Sequence, residues 1–88
     1  MDLHAKLDAL IELAGEAGLE VRREVLGGNG GGVCVLKGRR VLFVDLAADV
    51  ETRYERTLES MAEMKELDER YLPPELREDI DRRRAARR

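Results

Sequence analysis

The chain has 88 residues, a net charge of −3, 40% charged side chains and only 3% aromatic ones. This length predicts one small domain with a core of leucine, valine, isoleucine and alanine. The net charge provides no general attraction for nucleic acid or anionic lipid, and a single cysteine excludes an internal disulfide and a cysteine-based zinc site.

The first predicted element is a helix over residues 2–17. Five apolar residues recur on one helical face: Leu3, Leu7, Leu10, Ile11 and Ala14. Gly18 follows as a left-handed cap. Residues 19–26 then alternate between apolar and charged side chains, which predicts a strand with one face in solvent.

A glycine-rich segment follows, and it is the most unusual stretch of the sequence: Gly27, Gly28, Asn29, Gly30, Gly31 and Gly32. Glycine reaches positive φ angles without strain, but so many glycines make a loop costly to order. Either the loop is slack, or a ligand or partner approaches its backbone closely. We expect it to meet a partner protein and not to hold a cofactor, since it contains no charged side chain to fix a phosphate. Its amides could also hold an anion. The segment opens a strand and lacks a Gly-Lys-Ser/Thr motif, so it is neither a Walker-type phosphate loop nor a dinucleotide fingerprint.

Two strands, Val33–Leu36 and Val41–Val44, are apolar on both faces and are joined by a tight turn at residues 37–40. With Lys37 opposite Arg40, one face carries Cys34, Leu36, Val41 and Phe43. Two long helices can cover only one face of this hairpin. The other face must be covered by a second copy of the chain, which we expect, or by a C-terminal segment containing Tyr71, Leu72, Leu76 and Ile80. The predicted dimer interface is Leu36, Val41 and Phe43.

A second helix begins at Asp49, its N-cap, and shows an apolar stripe that includes Tyr54, Leu58 and Met61. Pro74 opens a last helix, whose arginine-rich end over residues 82–88 is expected to fray into solvent. The sequence thus predicts an α+β fold of the order α-β-β-β-α-α, with a three-stranded antiparallel sheet and a short C-terminal helix. We expect a domain over 1–72, followed by a C-terminal helix and basic tail over 73–88.

Two resemblances follow from these elements. The order helix, three strands, helix resembles the double-stranded RNA-binding domain. That family binds RNA with a Gly-Pro-His-type loop between its first two strands and a lysine-rich start to its last helix. In this chain the corresponding loop has no proline or histidine, and the corresponding helix has an acidic start, Ala48-Asp49-Val50-Glu51. Nucleic-acid binding is therefore not expected. The string LGGNGGGVCVLKGRRVLFVD, followed by Thr-Arg-Tyr-Glu-Arg-Thr, resembles small uncharacterised bacterial proteins with a Gly-Gly-x-Gly-Gly-Gly-x-Cys segment and a Leu-Phe-Val-Asp strand. No activity attaches to that resemblance.

Candidate chemistry is sparse. Cys34 lies in an apolar strand and is expected to be a buried structural cysteine, far in sequence from the single histidine, His4. Asp45, Asp49 and Glu51 could hold a divalent cation, but their spacing matches no calcium loop, and helix capping explains Asp49 and Glu51. We therefore expect no metal, no cofactor and no catalytic residue.

The sequence favours a non-enzymatic protein-interaction or assembly module that forms a homodimer. A regulatory role is one function that such a module could have. The alternative is a ligand-binding or thiol-dependent protein that uses the Gly27–Gly32 loop and Cys34. No apolar run approaches the length of a membrane span, and the residues after Met1 lack the apolar stretch of a signal peptide. We expect a cytoplasmic protein.

Overall fold

Three helices and a three-stranded sheet form residues 1–87, the part of the chain that the computed structural model describes. This architecture confirms the α+β prediction and the order of the elements. The elements are α1 Leu3–Glu16, β1 Glu20–Glu24, β2 Gly31–Leu36, β3 Arg39–Asp45, α2 Val50–Met61, a short 3-10 helix Lys65–Glu69, and α3 Pro74–Ala86. None of the helices in residues 1–87 is both long and apolar enough to cross a bilayer.

The helix ends follow local chemistry. The Asp2 carboxylate accepts a hydrogen bond from the Ala5 amide at 2.8 Å, and Asp49 accepts one from the Thr52 amide at the same distance. These bonds satisfy amides that a helix leaves unpaired in its first turn. The N-cap predicted at Asp49 and the helix start predicted at Pro74 are both confirmed.

The predicted antiparallel sheet is wrong, because the strand order is β1-β3-β2 and β3 runs parallel to β1. Only the β2–β3 pair is antiparallel. The central place goes to the strand that is apolar on both faces, with Val41, Leu42 and Val44 at most 2% exposed. Strand β1 carries four charged residues out of five, which suits an edge position.

The β2–β3 hairpin turns over two residues, Lys37 and Gly38, at φ angles of 51° and 81°. Such a turn matches the twist of paired strands and places Leu36 opposite Arg39. The predicted pairing of Lys37 with Arg40 is therefore wrong. The observed register is shifted by two residues, since Cys34 pairs with Val41 and not with Phe43, and a shift of two residues leaves the face of every side chain unchanged. Cys34, which pairs with Val41, still shares its face with Leu36 and Phe43.

Within residues 1–87, one hydrophobic core lies between the helices and one face of the sheet. It contains Leu42 and Val44 of β3 together with Leu72, Leu76 and Ile80. The C-terminal segment therefore packs on the helical side, and the prediction that it could cover the second sheet face is wrong. Tyr71, which was assigned to that cover, is 83% exposed. This packing is favourable because Leu76 and Ile80 lose all contact with water there.

The arginines of α3 meet the acidic stripe of α2. Arg83 pairs with Glu55, and a guanidinium nitrogen of Arg87 donates to the Glu59 carbonyl at 2.9 Å. Arg84 donates to the Ala62 carbonyl. The expectation of a frayed end is therefore wrong for α3, which continues to Ala86, whereas Arg82 and Arg87 remain exposed as expected. Arg88 lies outside the described residues.

Arg84 provides a test of how firmly α3 is held. Its guanidinium also donates to Asp68 at 2.8 Å and to the Met64 carbonyl at 3.3 Å. We expect Arg84→Ala to lower the free energy of unfolding by about 1–3 kcal/mol, because two partly buried carbonyls lose a charged donor. Arg82→Ala is the matched control. It removes an exposed pair with Asp79 and should cost less than about 0.5 kcal/mol. Equal costs in urea denaturation would contradict this prediction.

Candidate functional site

The glycine-rich loop crosses the end of the central strand. Strands β1 and β3 end at the same edge of the sheet, and β2 begins there, because β1 and β3 are parallel and β2 runs the opposite way. Residues 25–30 must therefore span two strand spacings, roughly 10 Å. This topology explains why a tight turn could not join β1 to β2.

Asp45, the last residue of β3, holds this loop in place. Its side chain is completely buried. Oδ1 accepts hydrogen bonds from the amides of Leu26 at 2.8 Å and Ala47 at 2.9 Å. Oδ2 accepts them from Gly28 at 2.6 Å and Gly30 at 3.2 Å. Burial alone would raise the pKa of this carboxyl group, but the four amides lower it to about 2. The group is therefore a carboxylate at neutral pH.

The loop amides thus already have an anion, which belongs to the protein itself. An external phosphate would have to displace Asp45 from Gly28 and Gly30. Each carboxylate oxygen also accepts two hydrogen bonds, which leaves Asp45 poorly suited to ligate a cation. Within residues 1–87, no three histidine, cysteine or acidic side chains are grouped closely enough to hold a metal ion.

Two of the loop glycines are required by close packing inside the chain. A Cβ atom on Gly31 would lie 2.0 Å from the Phe43 carbonyl oxygen. A Cβ atom on Gly30 would lie 2.9 Å from the Thr52 carbonyl oxygen. Gly27 and Gly28 border open space but have φ angles near +95°. The loop is therefore not slack. The backbone that approaches it closely belongs to β3 and α2 of the same chain. Asn29 lies exposed between these two pairs.

Cys34 is exposed, so the prediction of a buried cysteine is wrong. It lies on the edge strand β2, on the sheet face turned away from the core, and pairs with Val41. Truncating its side chain would leave no cavity. The groove beside it is lined by Leu26, Gly31, Gly32, Val33, Cys34 and Phe43. No base lies among these lining residues, and the nearest cation is Arg22 on β1, which lies over the Phe43 ring.

The second face of the sheet remains open. We define the open sheet face as Leu26, Cys34, Leu36, Val41 and Phe43. Leu26 is 39% and Leu36 41% exposed, whereas Val41 is covered by its neighbours. The three residues predicted as an interface thus share this face, but only Leu36 and part of Phe43 are accessible.

Two grooves indent this face. One, of about 320 Å³, is the apolar groove beside Cys34. The other, of about 360 Å³, is lined by Glu20, Arg22, Leu36, Lys37, Arg39 and Val41. The Arg22 guanidinium lies 5.9 Å from the centre of the Phe43 ring, which places a cation beside the apolar residues.

Sequence reasoning missed two residues of this region, Leu26 and Asp45. Leu26 is the last residue before the glycines, and its position on the open sheet face depends on the loop crossing β3. Asp45 was considered only as a cation ligand. The combination of a carboxylate after an apolar strand and a nearby run of glycine amides could have indicated an internal hydrogen-bonded pair.

No protein-family model matches the chain, and comparisons with curated proteins and with solved structures give no significant match. The function is therefore inferred from the geometry of the open sheet face and the edge of β2.

Proposed function

We propose that the protein is a non-enzymatic interaction module that forms a homodimer through the open sheet face and the β2 edge. The observation that carries this proposal is the exposed apolar side chains on β2, where Val35 is 65% and Leu36 41% exposed. Strand β2 contains no charged residue and no proline over Gly31–Leu36. Soluble proteins normally protect such an edge with charges, a bulge or a cover. A partner that covers it would remove this liability.

The alternative, a ligand-binding or thiol-dependent protein, depends on the groove beside Cys34. Small-molecule sites combine apolar walls with a few polar groups that orient the ligand. No polar or charged side chain lines this groove, apart from the thiol itself. The interaction module is therefore the function we favour. A cytoplasmic location belongs to the same proposal, since the single cysteine is an exposed free thiol.

Light scattering coupled to size-exclusion chromatography tests this proposal over a range of protein concentrations. The wild type should approach the mass of two chains as the concentration rises. Leu36→Lys should raise the dissociation constant at least about 10-fold, because a dimer would have to bury an unpaired ammonium group. Leu46→Lys is the matched control, since Leu46 is 44% exposed and lies outside both grooves. It should leave the dissociation constant unchanged.

A wild type that keeps the mass of one chain at millimolar concentration would overturn the proposed homodimer. Equal weakening by the two lysine substitutions would move the interface away from the open sheet face. Circular dichroism of both variants should match that of the wild type, because each replaces a side chain that is already partly in water.

A further inference from the structure

We infer that the β2 strands of two copies pair antiparallel about a two-fold axis that passes beside Cys34, which would form a continuous six-stranded sheet. This inference rests on the proposed homodimer and specifies how its two chains meet. Its evidence is the unpaired edge of β2, the exposed leucine on that strand, and the groove beside Cys34.

The backbone of β2 has hydrogen-bonding groups available on its outer side. Leu36 and Arg39 flank a two-residue turn, so they exchange hydrogen bonds, and alternate pairs along the hairpin do the same. The N–H and C=O groups of Val33 and Val35 therefore point away from β3. Within residues 1–87, β2 pairs with no strand other than β3 and contributes to no backbone hydrogen bond outside the sheet. A fourth strand can be added at this edge.

Symmetry limits the register to a few choices. A two-fold axis perpendicular to the sheet requires that one residue of β2 lies opposite its own copy, since residues that lie opposite each other share a face. With Cys34 at the centre, Val33 bonds to Val35 of the second copy, and Val35 bonds to Val33 of the second copy. This register uses the outward-facing groups of both valines in each chain.

The side chains support the same register. It places Leu36 opposite Gly32 of the second copy, where the groove of about 320 Å³ lies between Leu26, Cys34 and Phe43. Leu36 is 41% exposed in a single chain and would pack against the residues that line this groove in the second copy, and the reverse contact would form as well. On the other face, Val35, which is 65% exposed, would contact Val33 of the second copy. Exposed apolar groups would thus be buried on both faces of the sheet.

The distribution of charge favours a second copy as the occupant. Strands β1 and β3 carry four and three charged residues, whereas β2 carries none. Like charges directly opposite each other destabilise a strand pair, and an uncharged strand can pair with its own copy without placing any like charges opposite each other. The first charged residue, Lys37, would lie opposite Gly31 of the second copy, where it meets no side chain.

Disulfide formation measures this register directly. The wild type has one cysteine, at position 34, and two further single-cysteine proteins place it at 33 or 35: Val33→Cys and Val35→Cys, each combined with Cys34→Ser. In the proposed register the two Cys34 Cα atoms are roughly 4.5 Å apart, a distance that a disulfide spans. Diamide, the oxidant, accepts two electrons and two protons as each disulfide forms. Tyr71→Cys with Cys34→Ser gives the rate of random collision, since Tyr71 is 83% exposed.

We expect the wild type to cross-link at least about 10-fold faster than the other three proteins, because only position 34 faces itself. Fastest cross-linking at position 33 or 35 would overturn this register. A dimer by light scattering in which position 34 cross-links no faster than position 71 would overturn strand pairing, yet leave the proposed homodimer intact. A protein that stays monomeric by light scattering would overturn both.

Discussion

Gly31→Ala is expected to prevent the chain from reaching its native fold. The added methyl carbon would lie 2.0 Å from the Phe43 carbonyl oxygen and 2.7 Å from the Phe43 carbonyl carbon. Both atoms belong to the backbone of the central strand, which is fixed by its neighbours on each side, so no side-chain rotation can relieve the overlap. We expect a loss of about 4 kcal/mol or more, which is most of the stability of a domain of this size.

Gly28→Ala separates this overlap from the cost of the backbone conformation. The two glycines share a φ of +95°, but a Cβ atom on Gly28 would meet nothing within 4 Å. Its substitution should therefore cost only the left-handed strain, about 1–2 kcal/mol. The free energy of unfolding of both variants is measured by urea denaturation followed by far-ultraviolet circular dichroism. Each titration begins with protein that has been refolded from denaturant. Stabilities within about 1 kcal/mol of each other would show that the contact with Phe43 is unimportant.

The helices were largely predictable because their signals are local. The spacing of Leu7 and Leu10 in α1, the cap at Asp49 and the proline at 74 each act within a few residues of the element they define. The faces of the hairpin were also predictable, since side chains alternate along a strand whatever its exact register. Each of these features depends on the chain near it.

Strand order could not be predicted in the same way, because it depends on which strand gains most from the central position. Strand β3 takes that position since Val41 and Leu42 are buried on opposite faces of the sheet. The interpretation of the glycine loop depended on the predicted strand order, so it was affected by the same error. When β1 and β2 are treated as neighbours, a long loop between them looks slack or available to a ligand. Once β3 lies between them, the same loop is a crossing that Asp45 holds with hydrogen bonds.

The exposure of Cys34 was mispredicted for a related reason. An apolar strand suggests burial, and free cysteines are often buried. Burial of Cys34 requires cover on the sheet face that carries it, however, and the C-terminal segment that could have supplied that cover packs against the helices through Leu76 and Ile80. The sequence pattern described the strand correctly, but it did not reveal which side of the sheet the last helix would take.

Asp45→Asn is expected to lower the melting temperature by at least about 10 °C, because the side-chain NH2 group of asparagine would face backbone N–H groups, which are also donors. Each carboxylate oxygen of Asp45 accepts hydrogen bonds from two backbone amides. An asparagine keeps one oxygen and turns an NH2 group toward the other pair of amides, which leaves buried N–H groups without an acceptor. Asp49→Asn is the matched control. It keeps the single acceptor that the Thr52 amide needs, and asparagine is an equally good N-cap, so its effect should be less than about 3 °C.

The dependence of stability on pH gives an independent test of the same group. The pKa of Asp45 is about 2 in the folded chain, against an ordinary value of 3.8. A carboxyl group whose pKa is lowered by folding contributes its full stabilisation above the unfolded value and loses it as the pH falls toward the folded value. The difference in stability between wild type and Asp45→Asn should therefore be constant above pH 5 and shrink between about pH 4 and pH 2. Other carboxylates in the chain titrate in both proteins and cancel in that difference. A difference that stays constant down to pH 2 would mean that the loop amides do not hold Asp45 in its charged form.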